Sequence, residues 1–281
     1  LTTDVPGPAA AVHPSDRIDT SVAHPARRYN YWLGGKDNFQ ADRESGDAMA
    51  AQFPTIRTSA LENRRFLRRA VAHLAREAGI RQFLDIGTGI PTANNTHEVA
   101  QGVAPASRVV YVDNDPIVLA HARALLTSSA EGATAYIDAD LRDPGRILDH
   151  PDLRRTLDLT QPVGLMLLAV LHFVPDAEDP YAAVARLLDA LPPGSYLAAS
   201  HATHDYLPPH LAEAAKESAR GGGPHGIINL RSLDEFRRFF DGLELIEPGI
   251  RSVAEWRAEG EPQPRPSVVE VSMYGGVARK P

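Results

Sequence analysis

The chain has 281 residues, 43% hydrophobic and 23% charged, enough apolar mass for one large domain with a small extra element. It contains no cysteine, which excludes disulfides, thiolate metal sites and cysteine nucleophiles, and fits a reducing, cytoplasmic location. A formal net charge of -7 disfavours a protein that grips a phosphate backbone, and no apolar run approaches the ~20 residues of a membrane span. Neither nucleic acid nor a membrane is therefore an expected partner.

Residues 1–17 are rich in proline and alanine and lack the basic start and apolar middle of a signal peptide, so a disordered leader is expected. Residues 18–57 form an expected cap segment, dense in aromatic and special residues. Tyr31, Trp32, Lys36, Asp37 and Asn38 are its candidates for touching a ligand; alternatively Tyr31, Trp32 and Phe39 simply pack the first helix onto the rest. The main domain is expected over 58–281. Its first helix spans 61–78, with apolar residues at helical spacing and a stop at Gly79. This stretch holds a basic cluster, Arg64, Arg65, Arg68 and Arg69, which reads as a solvated helix face.

Strand-like and helix-like stretches then alternate. A strand at 82–86 ends in a glycine-rich turn, and a helix opens near Thr92 to Asn95. A β-branched run over 109–113 favours a strand, followed by a helix over 116–126 with proline in its first turn. A third strand covers 133–140, and a helix over 144–157 has a possible break at Pro151. The nearly all-apolar 163–173 suits a central strand buried on both faces, with a helix over 180–191 and a strand over 195–200 after it. The tail differs: a helix at 233–240, then strands at 243–250 and 268–278 without a clear helix between them. The glycine run 221–226 reads as a flexible part of a loop beyond a strand's carboxyl end, where ligands bind in open α/β sheets. The pattern predicts an α/β fold: a Rossmann-like, seven-stranded, mostly parallel sheet with helices on both faces and an antiparallel C-terminal edge hairpin.

The most informative stretch is Phe83-Leu84-Asp85-Ile86-Gly87-Thr88-Gly89-Ile90-Pro91, at a strand-to-helix turn. Glycines there let the backbone approach a ligand. The position that would complete a dinucleotide fingerprint is Thr92, and Asp85 would repel a pyrophosphate while suiting an ammonium. S-adenosylmethionine carries that ammonium. Asp113 ends the second strand 24 residues after Gly89, near the offset at which an acid accepts two hydrogen bonds from a ribose diol. Asp140 ends the third strand, where a carboxylate can accept from an adenine amino group. Each aspartate alone could be a helix cap; three at successive strand ends point to a cofactor. Thr88, Asn114 and Leu141, with Ala169 near the end of the fourth strand, complete the expected cofactor set.

Asp85-x-Gly87-x-Gly89, Asp113, Asp140 and Pro193-Gly194 resemble class I S-adenosylmethionine-dependent methyltransferases. The stretches Tyr29-Asn30-Tyr31-Trp32-Leu33-Gly34-Gly35-Lys36-Asp37-Asn38, Val112-Asp113-Asn114-Asp115-Pro116 and Tyr274-Gly275-Gly276-Val277-Ala278-Arg279-Lys280 resemble one family in particular. It is the actinobacterial S-adenosyl methyltransferases, long filed as a domain of unknown function. The resemblance runs from about residue 18 to 280 and implies the fold and S-adenosylmethionine as cofactor, without an acceptor.

Methyl transfer from a sulfonium mainly requires alignment of an acceptor and, for a protonated one, removal of a proton. Pyrimidine C5 methylation commonly needs a cysteine, and base amino methylation an (Asp/Asn/Ser)-Pro-Pro-(Tyr/Phe) loop where this chain has Leu171-His172-Phe173-Val174-Pro175. O- or N-methylation of a small molecule is the expected activity. His172 and His201, at or near strand ends, are the candidate bases; the alternative for each is a supporting loop histidine. His201, His204 and Asp205 lack a third histidine at a binding spacing, so no metal site is expected. The competing readings are a non-catalytic sensor of S-adenosylmethionine or S-adenosylhomocysteine and, disfavoured by Asp85 and Thr92, an NAD-dependent oxidoreductase.

Overall fold

The computed structural model describes residues 19–125, 128–220 and 228–281; the expected leader and the glycine run 221–226 lie outside the described residues. Three helices, α1 (Pro25–Trp32), α2 (Gln40–Gln52) and α3 (Ile56–Arg76), precede the sheet. Strands β1 (Gln82–Ile86), β2 (Arg108–Asp113), β3 (Ala133–Asp138), β4 (Gly164–Leu168) and β5 (Tyr196–Ala202) lie parallel in the order β3-β2-β1-β4-β5. The short β6 (Glu244–Leu245) and β7 (Arg251–Ser252) both pair antiparallel with β8 (Met273–Arg279), which itself pairs antiparallel with β5. Between the strands run α4 (Thr96–Val103), α5 (Pro116–Leu125), α6 (Pro144–Leu148), α7 (Pro151–Thr156), α8 (Pro180–Asp189), α9 (Pro209–Arg220), α10 (Leu233–Arg237) and α11 (Val268–Val271). Among the described residues no helix is long and apolar enough to cross a membrane.

The sheet has a core on each face because successive strand side chains point to opposite sides. Leu84, Val110, Leu165 and Leu197 pack with Ile147, Leu153 and Val184 from α6, α7 and α8. Their neighbours Phe83, Val109, Met166 and Ala198 face the other way, against Phe66, Val71 and Leu74 of α3 and Trp256. Burial on both faces explains why β4 reads as a continuous apolar run and why β1 and β2 lack the alternation of a half-exposed strand.

Three boundaries differ from expectation, each for a local reason. The apolar run expected as one strand over 163–173 leaves the sheet after Leu168: Ala169 takes φ +53° and a 3-10 turn follows at Leu171–Phe173. An all-apolar run has no period with which to mark such an end. The first residues of the expected strand 268–278 form α11, because Ser267 and Glu270 cap each other reciprocally; Ser272, at φ +43°, then turns the chain into β8. The expected strand 243–250 shrinks to β6, followed by Pro248 and Gly249 at φ +77°. The edge remains antiparallel, with β8 inserted between β5 and β6.

Candidate active site

From β3 the chain crosses back to place β4 on the far side of β1, so a crevice opens between the loops that follow β1 and β4. A cavity of about 760 Å³ occupies this end of the sheet. Its wall includes Asp85, Gly87, Thr88, Gly89, Asp113, Asn114, Asp140, Leu141 and Ala169, the nine residues expected to hold a cofactor.

The turn after β1 requires its glycines for two different reasons. Gly87 has φ +73°, and a Cβ there would lie 2.4 Å from Val170 Cγ2. Gly89 has φ +68° and nothing within 4 Å of a Cβ, which would project into open space. Its N–H donates to Asp113 Oδ2 at 2.9 Å, and the Asp115 N–H donates to Oδ1 at 3.0 Å. Burial pushes the Asp113 carboxyl up, and these two hydrogen bonds oppose it. Asp85 is fully buried and accepts from Thr96 Oγ1 at 2.5 Å. Burial raises it to about 6, against the hydrogen bond from Thr96 and the positive charge of Arg64. At Asp140 burial is outweighed: Oδ1 accepts from the Arg142 N–H at 2.9 Å, and Oδ2 from Asn114 Nδ2 at 2.7 Å and Arg142 Nη1 at 2.9 Å. Its carboxyl is held below the usual range.

Several residues of the wall escaped sequence reasoning. The Ala169 N–H donates to Ser200 Oγ at 2.9 Å, which donates to Asn63 Oδ1 at 2.6 Å; Asn63 Nδ2 reaches Tyr29 OH at 3.1 Å. This relay ties the bend after β4 to β5, α3 and α1. Arg28, 1% exposed, also lines the cavity; burial pushes its guanidinium down to about 10, and Nη1 donates to Ser45 Oγ at 3.1 Å. The basic cluster on α3 is not a uniformly solvated face. Arg65 pairs with Glu62, while Arg68 and the nearly buried Arg69 pair with Glu261 at 2.5 and 2.9 Å. Arg64 turns toward the cavity.

The expected cap residues divide. Trp32 lines the cavity and donates its Nε1 proton to Gly46 O at 3.2 Å. Tyr31 OH donates to Asp47 Oδ1 at 2.8 Å, Lys36 is exposed, and Asp37 lies 3.8 Å from His121. Asn38 Nδ2 donates to Asn30 Oδ1 and Gly35 O, both at 2.9 Å, and so braces the turn between α1 and α2. A Cβ on Gly35 would lie 2.2 Å from Asn30 Nδ2, which accounts for a glycine there. None of these four residues lines the cavity.

The two candidate bases also separate. His172 is in the wall, and burial, with the charges of Arg231 and Arg28, pushes it down to about 3; its Nδ1 is buried without a partner. His201 is fully buried behind the wall, its Nδ1 2.7 Å from Ala202 O and its Nε2 2.8 Å from Arg231 Nη1. The carbonyl fixes the proton on Nδ1 and Nε2 accepts from the guanidinium, so both nitrogens are engaged. Burial drives its pKa well below the ordinary value. Arg231 also donates to Leu171 O at 3.0 Å and Val174 O at 2.9 Å, holding the bend on which His172 sits. The cavity wall also carries apolar side chains, among them Met49, Phe53, Ile56, Leu207, Leu211 and Met273.

A family model described as S-adenosyl methyltransferase matches residues 11–281. A solved structure of a DUF574 family protein from Streptomyces avermitilis is 52% identical, covering 94% of this chain and 100% of its own, with a TM-score of 0.86. A protein of Thermobifida fusca with a provisional methyltransferase assignment is 43% identical, covering 93% and 96%, with a TM-score of 0.83. No curated protein matches the chain.

Proposed function

Because the chain belongs to the S-adenosyl methyltransferase family, we propose that this S-adenosylmethionine-dependent enzyme methylates an oxygen or nitrogen of a small, largely apolar acceptor. The observation that carries the reading is one cavity whose wall brings the strand-end acids together with His172 and a set of apolar side chains.

The residues present fit the cofactor. Asp85 is a buried carboxylate whose hydrogen-bond partner is the Thr96 hydroxyl, a setting that an ammonium would stabilise. Gly89 leaves open the space that a side chain would fill. Asp113 would hold the ribose diol, Asp140 with Leu141 the adenine, and Gly87 and Thr88 the backbone side of the site. When bound, S-adenosylmethionine supplies a methyl group already activated on a sulfonium.

The chain's own part is then alignment, exclusion of water and handling of a proton. Residues 18–57, with α1 and α2, act as a cap over the domain at 58–281, and Trp32, Met49 and Phe53 form its apolar underside. His172 stays neutral at working pH, because its basicity is depressed to about 3. It serves as a hydrogen-bond partner that orients the acceptor, and takes a proton only as positive charge develops on the acceptor atom. His201 serves as a strut that holds Arg231 and the bend after β4. The apolar side chains in the cavity wall favour turnover over a sensor, which needs no acceptor site beside the cofactor. The test is a screen of apolar phenols and amines with S-adenosylmethionine, read as S-adenosylhomocysteine formed together with a product 14 Da heavier than the acceptor. Cofactor binding with no turnover across the panel would favour the sensor.

A further inference from the structure

Of the four arginines clustered on α3, three pair with an acid. Arg65 pairs with Glu62, and Arg68 and Arg69 share Glu261. Arg64 forms no ion pair among the described residues. Its Nη2 instead donates to Ala93 O at 3.1 Å and Asn94 O at 3.2 Å, and lies 3.4 Å from Asn95 Oδ1. These neutral acceptors fix one edge of the guanidinium against the loop that follows Gly89. The side chain lines the same cavity as Asp85, one residue from Asn63 and one helical turn from Leu67, which also face it. Arg64 is thus a half-buried cation that opens on the cavity, where its charge acts on Asp85 without a direct ion pair among the described residues. The cofactor's amino-acid end is a zwitterion, so an acid that takes its ammonium leaves a carboxylate to be neutralised nearby. A guanidinium presents paired donors to a carboxylate in a geometry that neutral groups do not match.

We propose that Arg64 binds the α-carboxylate of the cofactor's methionine moiety, opposite Asp85. This assignment rests on the cofactor lying at the acid-lined end of the cavity. It makes the site selective for ligands with an intact amino acid over those with the thioadenosine part alone. The loop 93–95 acts as the support that aims the guanidinium.

The test is calorimetric titration of the full chain and of Arg64→Gln and Arg64→Lys with S-adenosylhomocysteine, its decarboxylated counterpart and 5′-methylthioadenosine. The expected result is a loss of roughly tenfold or more in S-adenosylhomocysteine affinity for R64Q, with a smaller loss for R64K, since a charge-assisted hydrogen bond contributes roughly 1.5–3 kcal/mol. The two ligands without a carboxylate should bind R64Q within about twofold of wild type, which also shows that the variant is folded. Removing the carboxylate from the ligand should cost wild type the same factor, and R64Q nothing further. An equal loss for all three ligands would overturn the proposal and assign Arg64 to loop support. Should R64Q fail to fold, wild type alone decides: equal affinity for S-adenosylhomocysteine and its decarboxylated counterpart overturns the proposal. Binding of none of the ligands by wild type would overturn the cofactor reading beneath it, a result distinct from either.

Discussion

Substituting Gly87 by alanine should destabilise the fold through two separable effects. Its φ of +73° is a conformation that costs an L-residue roughly 1–2 kcal/mol. The new Cβ would also stand 2.4 Å from Val170 Cγ2 and 2.6 Å from Val170 Cβ, an overlap of the kind that costs about 1–3 kcal/mol. The sum, roughly 2–5 kcal/mol, should appear as a lower urea midpoint with an unchanged slope. Gly89→Ala has the same backbone cost without the clash, because nothing lies within 4 Å of its Cβ. It should lose only about 1–2 kcal/mol of stability yet weaken cofactor binding, since the methyl enters the cavity. A double-mutant cycle isolates the steric part: Val170→Gly, which removes both the Cβ and the Cγ atoms, combined with G87A should recover about 1–3 kcal/mol as coupling. G87A as stable as wild type, or a cycle with no coupling, would refute this account of the turn.

Three further predictions concern charge and packing. Burial holds the Asp85 carboxyl near 6 in the fold against an ordinary 3.8, so its contribution to stability should be most favourable at low pH and fall as pH rises from about 4 to about 6. It should then level off about 3 kcal/mol lower, at roughly 1.4 kcal/mol per pH unit. Asp85→Asn should therefore stabilise the protein above pH 6 in thermal melts while abolishing S-adenosylhomocysteine binding; a destabilised D85N would count against the buried charge. His172→Ala should lower kcat by about 10²–10⁴ with S-adenosylhomocysteine affinity nearly unchanged, whereas His201→Ala should cost about 1–3 kcal/mol of stability by leaving Arg231 short of a partner. Equal effects of the two variants on kcat and stability would erase the distinction drawn between them. Leu165→Ala, in a fully buried central strand, should cost about 2–5 kcal/mol by urea titration.

The sheet and the acidic end of the cavity were legible because apolar runs, a glycine turn and strand-end aspartates leave local patterns. Asp85, Asp113 and Asp140 fall at such ends, and topology alone then brings them together. What the sequence hid depended on contacts distant along the chain. Arg64, Arg65, Arg68 and Arg69 look alike in a window; Glu62 takes Arg65 locally, but Glu261, which takes Arg68 and Arg69, lies nearly two hundred residues on. His201 reads as a residue at a strand end, and its partner Arg231 lies 30 residues away. Asn38 reads in the sequence as a candidate ligand contact beside Lys36 and Asp37, yet it is spent on bracing its own turn. The Ser267 to Glu270 capping box was present in the sequence, but the β-branched valines between favour a strand.

The most direct test of the central claim is calorimetric titration of the purified chain with S-adenosylmethionine, S-adenosylhomocysteine and NAD in parallel. Stoichiometric, micromolar binding of the first two and no heat from NAD is the predicted result. Binding of NAD, or of none of the three, would contradict the assignment of the strand-end aspartates to a sulfonium cofactor.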